Sequence, residues 1–402
     1  MAPKREEGAG LGLEENDERR LRVLVAKTRA AAEKRVHRRR NHGFSSCVNG
    51  RAVQLDGLRA VAILAICWDH WRPGGWSRWL PFEVCLFFFL VMTGYLITGS
   101  LLRERDRGEA GGVVWRGRMM WSYQVRRGLR ILAPYYVALA IAWLVGAPDM
   151  RAAWPWYAGH LSNIHMAFLD QWPAGTNHFW SLSMQQQFYL VWPLVIWWLP
   201  RGLIIPAVCA FAALGPISRF FNDHMLAWCV RPEVLTISCL DYFGVGALMA
   251  VAQARGMLLT SPVLRWISIM AVVAYAVMFT THAFGAPTYG MRFLQQTLLS
   301  VGLCGFIASG IVGFGGRLGK CLEQPALLRI GQLSYGIYLF HNLAPLVAGK
   351  LMPFLWNGVF DKGIPALLRV GIFAGMTWGM ALASWRWIEL PLQDFRKRMG
   401  KG

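Results

Sequence analysis

The chain has 402 residues, of which 55% are hydrophobic and only 16% are charged, while 42 lysines and arginines outnumber 22 aspartates and glutamates. A basic nucleic-acid-binding protein is rich in charge and poor in long apolar segments, so this composition excludes a nucleic-acid partner. The abundance of apolar residues also excludes disorder for most of the chain. The class that remains is a protein that crosses a membrane several times.

The first predicted element is a basic N-terminal tail, residues 1–52, which lacks the apolar core of a signal peptide. Its stretch 16–40 is rich in arginine, alanine and glutamate, so we predict a cytoplasmic segment that is disordered or partly helical. Such a tail is typical of a segment that helps to orient the first span by attraction to anionic lipid headgroups. Docking of a partner is the alternative.

Apolar segments long enough to cross a bilayer follow from residue 53 to residue 395, and we predict one transmembrane domain there. Residues 396–402 are predicted to form a second basic cytoplasmic tail. The ten predicted spans cover residues 55–71, 80–102, 131–147, 180–199, 203–218, 234–253, 266–284, 293–314, 332–351 and 364–384.

The distribution of positive charge predicts the orientation of these spans. With the N-terminus in the cytoplasm, 32 basic residues fall on the inner side and 8 on the outer side, while Arg59 and Arg369 lie within spans. We therefore predict an all-α bundle of about ten transmembrane helices in the plasma (inner) membrane, with both termini cytoplasmic. The net charge of +20 then reflects topology rather than a partner.

The first span is unusually polar, since it carries Asp56, Arg59, Asp69 and His70 among aliphatic residues. Eleven helical steps separate Arg59 from His70, which places both on one face, about 16 Å apart along the axis. Because ionisable groups are costly within a membrane, the pair is a candidate site. Alternatively, Arg59 only pairs with Asp56 and His70 only lies at the outer interface.

Other predicted spans also carry polar side chains, which need protein or water around them. We predict that these residues and the first span face one cavity, although packing in the core is the alternative for Tyr338 and His341. The residues are His178, Ser181, Ser183, Gln185, Gln186 and Gln187 in the fourth span, Asp241 in the sixth, and Ser334, Tyr338 and His341 in the ninth.

Several common active-site signals are absent from the sequence. Eight cysteines are scattered without a CxxC pair, so we predict neither a disulfide framework nor a metal site. Walker A, GxSxG and HExxH motifs do not occur. The segment from His165 to Asp170 fits an H-x4-D acyltransferase pattern, but it lies in a predicted loop without the glycine-rich acidic partner motif.

Seven segments in order resemble the acyltransferase type 3 family of integral membrane acyltransferases, over nearly all of residues 53–395. They read LDGLRAVAILAICWDH, FFLVMTGYLI, RRGLRILAPYY, HFWSLSMQQQFYLVWP, LDYFGVGALMA, SYGIYLFHN and WIELPL. The resemblance implies transfer of an acyl group, often acetyl, from acyl-CoA as donor substrate to a hydroxyl of an envelope saccharide or a glycoside, with no bound cofactor.

The resemblance also implies roles for individual residues. It makes Arg59 and His70 catalytic, and it places Arg126, Arg127 and Arg130 in a family element. Our hypothesis is that these three arginines bind the phosphates of CoA, and charge that only sets topology is the alternative. Gln185 stands where the family usually has glutamate, and an amide cannot carry charge or act as a base. The residues expected on the substrate side are His178, Trp180, Ser181, Gln185, Asp241, Tyr338 and His341.

These expectations form one mechanistic hypothesis. His70 acts as general base or is itself acylated, and Arg59 holds phosphate or carbonyl oxygens or orients the arm of CoA. A carrier is the alternative, either a transporter or flippase for a polysaccharide precursor or a proton-coupled exporter that uses Asp241 and His341. A carrier would release its substrate unchanged and would not depend on acyl-CoA.

Overall fold

The computed structural model describes residues 47–48, 51–71, 82–110, 115–225, 229–283, 292–353 and 366–399. The chain divides into two compact units, Met1–Ala52 and Val53–Gly402. The described part of the first unit is a pair of two-residue antiparallel strands, β1 (Cys47–Val48) and β2 (Arg51–Ala52). The predicted tail, residues 1–52, otherwise lies outside the described residues, as do residues 400–402 of the second tail.

Every secondary-structure element among the described residues of the second unit is a helix. Its first seven α-helices are α1 (Val53–Trp71), α2 (Glu83–Ala110), α3 (Trp115–Leu144), α4 (Trp154–Ala158), α5 (Ser162–Met166), α6 (Phe179–Trp198) and α7 (Ile204–Met225). The next five are α8 (Leu240–Ala254), α9 (Pro262–Ala283), α10 (Arg292–Val312), α11 (Gly316–Leu322) and α12 (Pro325–Phe340). The last three are α13 (Leu343–Leu351), α14 (Ala366–Ser384) and α15 (Leu390–Met399), with a π-helical turn at Trp385–Glu389 before α15.

Within the described residues, six helical segments are long and apolar enough to cross a membrane. They are Glu83–Ala110, Arg201–Asn222, Thr236–Ala254, Pro262–Thr281, Phe293–Val312 and Leu367–Asp394. The other four predicted spans fall on α1, α3, α6 and the α12–α13 pair. Arginine, histidine and glutamine side chains lower the mean hydropathy of α1, α3 and α6, whereas α12 and α13 are each too short because a break separates them. The count of about ten spans and the placement of the termini stay predictions.

Buried aromatic side chains fix α6 against its neighbours. Phe188 stacks on Phe243 of α8, with ring centroids 4.3 Å apart and an interplanar angle of 11°. The fully buried Trp192 donates its indole N–H to Thr98 Oγ1 of α2 at 2.7 Å. A buried indole needs such a partner, because an unsatisfied N–H in an apolar interior is costly. The middle and the C-terminal half of α6 are therefore held against α2 and α8.

Helices α1 and α12 approach each other closely because Gly331 has no side chain. A Cβ at this position would lie 1.9 Å from the backbone oxygen of Asp56, which is closer than any real contact allows. Small residues allow this kind of backbone approach between membrane helices. The contact places α12, and the break that follows it at His341–Asn342, beside the polar face of α1.

We expect Gly331→Ala to destabilise the domain by about 1–3 kcal/mol, because the added methyl group forces α1 and α12 apart. Thermal unfolding of the purified protein in detergent measures this loss. The matched control is Gly371→Ala in α14, where no atom lies within 4 Å of the added Cβ. Equal unfolding temperatures for the two variants would contradict the role assigned to the glycine contact.

Candidate functional site

A cavity of about 220 Å³ lies between α1, α2, α3, α6 and α12. Its described lining includes three arginines and no aspartate or glutamate, so its charge is positive. Aliphatic and aromatic side chains make up most of the remaining wall. The polar lining residues are Arg59, Thr93, Arg127, Arg130, Gln185, Tyr189, Ser334, Tyr335 and Tyr338. An elongated, partly anionic ligand suits such a lining.

Arg59 joins α1 to α12 at the wall of this cavity. Its Nη2 donates to Ser334 Oγ at 2.9 Å, and its Nη1 lies 3.3 Å from Asp56 Oδ1. The pairing with Asp56, which the sequence offered as an alternative to function, therefore coexists with a position on the cavity. The salt bridge and the hydroxyl hold the guanidinium in one orientation.

The neighbouring arginines of α3 have different surroundings. Arg127 lines the cavity and lies over the ring of Tyr189, with its Cζ 3.8 Å from the ring centroid. Its Nε is buried and has no hydrogen-bond partner among the described residues. Arg130 also lines the cavity. Arg126 does not: it lies 3.3 Å from Glu104, bonds to Ser122, and is 39% exposed.

Gln185, which stands where the family usually has glutamate, lies on the cavity wall. Its Oε1 accepts a hydrogen bond from the hydroxyl of Tyr189 at 3.3 Å. The amide is neutral, so Gln185 itself places no negative charge opposite the arginines of the cavity. The structure thus places this departure from the family pattern where it changes the charge of the site.

Three histidines gather where α1 and α12 end and α6 begins. The Nδ1 of His70 lies 2.7 Å from Nε2 of His341, and the Nδ1 of His341 lies 2.6 Å from the carbonyl oxygen of Tyr338. The ring of His178 is centred 5.0 Å from that of His341, and its Nε2 lies 3.0 Å from the carbonyl oxygen of Leu339. His178 and His341 are buried, whereas His70 is exposed.

Tyr338 connects the histidine cluster, defined as His70, His178 and His341, with the cavity. Tyr338 is a lining residue of the cavity, and its carbonyl oxygen contacts His341. Its hydroxyl lies 2.6 Å from Ser181 Oγ, which in turn donates to the carbonyl oxygen of His178 at 3.0 Å. The cavity and the cluster are thus adjoining parts of one polar region.

The structure does not bring every predicted site residue to this region. Asp241 forms a buried ion pair with Arg219 at 2.7 Å instead, and Trp180 is half-buried against the apolar core. His165 of the H-x4-D pattern pairs with Asp149 at 2.7 Å, and not with Asp170, the acid of that pattern. The roles assigned from the sequence to Asp241, Trp180 and Arg126 stay predictions.

Among the polar lining residues that were not singled out as binding residues in the sequence, two contact residues that were. Ser334 contacts Arg59, and Tyr189 contacts both Arg127 and Gln185. Each lies four residues from a residue that was singled out, Ser334 before Tyr338 and Tyr189 after Gln185. Helical periodicity was therefore the signal that could have found them.

A helical domain with six apolar spans and a cationic cavity beside a histidine cluster belongs to the class of multi-pass membrane proteins with an internal polar site. The sequence profile described as "Acyltransferase domain" matches residues 53–385. The chain therefore belongs to the acyltransferase type 3 family, as the seven segments indicated.

Curated relatives match most of this chain at low identity. Peptidoglycan O-acetyltransferase OatA of Listeria monocytogenes is 23% identical, and the match covers 84% of this chain and 55% of the relative. Putative O-acetyltransferase SACOL0978 of Staphylococcus aureus is 25% identical, with 88% and 59% covered. O-acetyltransferase OatA of Staphylococcus aureus is 24% identical, with 84% and 57% covered.

The chain thus spans less than three fifths of the length of these relatives. No solved structure matches the chain significantly.

Proposed function

We propose that the protein is a membrane O-acyltransferase that moves an acyl group, acetyl in the simplest case, from acyl-CoA to a hydroxyl of an envelope saccharide or glycoside. One observation carries the proposal. Arg59 and His70 of α1 contact Ser334 and His341 in one partner segment, so the cationic cavity and the histidine cluster adjoin along a single face.

The cavity suits part of the donor. CoA combines anionic phosphates with a slim uncharged arm, and guanidinium groups bind phosphate through paired N–H donors. At about 220 Å³ the cavity lies below the range of about 300–1,000 Å³ that is typical of sites enclosing a whole ligand, so it would hold the arm or a phosphate. The neutral Gln185 adds no negative charge to the wall that the three arginines line, although Arg59 is itself paired with Asp56.

The histidine cluster supplies the chemistry of the transfer. A ring nitrogen of His70 removes the proton from the acceptor hydroxyl as its oxygen attacks the thioester carbon. The carbon–sulfur bond then breaks, the ester forms on the acceptor, and CoA leaves as a thiolate that takes up the proton from His70. The net products are one ester and free CoA, and direct transfer is the simplest route that this geometry supports.

The saccharide acceptor is proposed from the relatives and from the site. One relative is named a peptidoglycan O-acetyltransferase, and the exposed His70 lies at the accessible end of the cluster. A sugar hydroxyl approaching there would reach the base without entering the arginine-lined cavity. This arrangement separates the donor from the acceptor, as a transfer between two substrates requires.

Purified protein in proteoliposomes tests the proposal directly. With acetyl-CoA and soluble glycan fragments, we expect free CoA thiol to be released in step with a mass gain of one acetyl group on the glycan. Movement of unchanged glycan across the bilayer without thiol release would overturn the proposal in favour of a carrier.

We expect Arg127→Gln to raise the KM for acetyl-CoA by about three- to tenfold, because the variant removes a cavity charge whose Nε lacks a partner among the described residues. The matched control is Arg126→Gln, the adjacent arginine outside the cavity, whose KM should stay within about twofold of the parent. Initial rates over a range of acetyl-CoA concentrations measure both. Equal effects of the two variants would mean that the charge acts only through topology.

A further inference from the structure

We propose that His341 is a positioning residue that fixes the tautomer of His70, so that His70 presents an unprotonated Nε2 to the acceptor hydroxyl. The inference rests on the proposed acyl transfer with His70 as its base. It changes the role of His341 from the substrate contact that the sequence predicted, since this side chain is fully buried behind His70.

The first step concerns the proton on His341. Its Nδ1 lies 2.6 Å from the carbonyl oxygen of Tyr338, and a carbonyl oxygen can only accept, so this nitrogen must carry the proton. No carboxylate contacts His341 within the described part of the chain, and an unpaired imidazolium would be costly in a fully buried position. His341 is therefore neutral, and its Nε2 has a free lone pair.

The second step concerns the contact between the two rings. The Nδ1 of His70 lies 2.7 Å from this lone pair, and the ring planes differ by only 13°. The ring centroids are 4.9 Å apart, which exceeds the 2.7 Å between the two nitrogens by nearly two ring radii. The rings therefore lie side by side in almost one plane. A nitrogen lone pair lies in its ring plane, and this arrangement is therefore a hydrogen bond rather than a face-to-face stack.

The third step assigns the proton within that bond. Because Nε2 of His341 can only accept, Nδ1 of His70 must donate, and the neutral imidazole then has its lone pair on Nε2. When this nitrogen takes the proton of the acceptor hydroxyl, the bond from Nδ1–H to His341 becomes charge-assisted and strengthens. The positioning residue thus supports the base both before and during proton transfer.

The surroundings hold His341 in place for this task. The indole N–H of Trp71 donates to the backbone oxygen of His341 at 2.9 Å, which ties the end of α1 to the break after α12. The ring of His178 packs at 67° to that of His341, with centroids 5.0 Å apart. A buried imidazole with fixed partners at both nitrogens has one orientation, whereas the exposed His70 alone would exchange tautomers freely.

Two amide variants separate the positioning role from a merely structural one. His341→Gln can place its amide oxygen near the position of Nε2 and accept from His70, whereas His341→Asn can place its amide nitrogen near Nδ1 and donate only to Tyr338. We expect kcat to fall about 10- to 100-fold in His341→Asn and to recover substantially in His341→Gln, with the KM for acetyl-CoA unchanged in both. His341 does not line the cavity, which is why donor binding is spared.

The assay is acetyl-CoA-dependent thiol release by purified protein in proteoliposomes, and thermal unfolding in detergent reports the fraction that is folded. Equal kcat values for the two variants, at equal folded fractions, would overturn the inference, as would greater recovery in His341→Asn. The variant His70→Ala, assayed in parallel, tests separately whether His70 is the base. If that variant is fully active, the proposed base is wrong; if it is inactive while both amide variants match the parent, only the positioning role fails.

Discussion

Replacing His70 with alanine should lower kcat for acyl transfer by about 10²- to 10⁴-fold, which is the usual contribution of a positioned general base. The exposed side chain at the end of α1 is joined to His341 by a 2.7 Å hydrogen bond. Its removal deletes the group that we propose takes the hydroxyl proton. The KM for acetyl-CoA should change little, because His70 does not line the arginine-containing cavity.

Acetyl-CoA-dependent thiol release and acetyl incorporation into a glycan measure this loss. His165→Ala is the matched control, because that histidine pairs with Asp149 at 2.7 Å and does not contact the histidine cluster or line the cavity. Full activity of His70→Ala at normal abundance in the membrane would rule out the proposed base.

Local periodicity made a large part of this region predictable. Two ionisable residues eleven positions apart in one helix must share a face, and both Arg59 and His70 do contact the segment that contains Ser334 and His341. The four- and three-residue spacings of Ser334, Tyr338 and His341 likewise place them on one side of α12 and of the residue that caps its C-terminus. Such relations depend only on the geometry of a single helix.

Contacts between distant segments could not be derived in this way. Arg126 and Arg127 are adjacent and chemically identical, yet only Arg127 lines the cavity, because α3 turns by about 100° between them. The bond from His70 to His341 joins residues 271 positions apart, and sequence spacing carries no information about it. Helix packing, rather than residue type, decided both outcomes.

Hydropathy and helix length identify only some of the predicted spans. The six apolar segments coincide with predicted spans, whereas α1, α3, α6 and the α12–α13 pair fail the same criterion of length and hydropathy. Those four contribute most of the cavity wall and all three clustered histidines. The helices that carry most of the candidate site are thus the more polar ones, so hydropathy alone recognises the scaffold more readily than the candidate site.

Asp241 illustrates how a polar residue within a span can be structural. Its carboxylate receives two hydrogen bonds from Arg219, at 2.7 and 3.1 Å, and a third from Thr297 Oγ1 at 2.6 Å. Arg219 also donates to the carbonyl oxygen of Phe293 at 3.0 Å. The charges are buried, paired and bonded on several sides, so they join α7, α8 and α10 rather than open onto the cavity.

Asp241→Leu is accordingly expected to destabilise the domain by about 3–5 kcal/mol, because it leaves the Arg219 guanidinium buried without its counter-charge. Arg219→Met should cost a similar amount. The double variant should recover most of that loss, since apolar side chains of similar volume often replace a buried ion pair without penalty. Thermal unfolding in detergent measures all three proteins, and thiol release per folded molecule should stay near the parent value. Normal stability of Asp241→Leu together with a raised KM for the glycan would show instead that Asp241 contacts substrate, because a residue that only joins helices has no route to acceptor affinity.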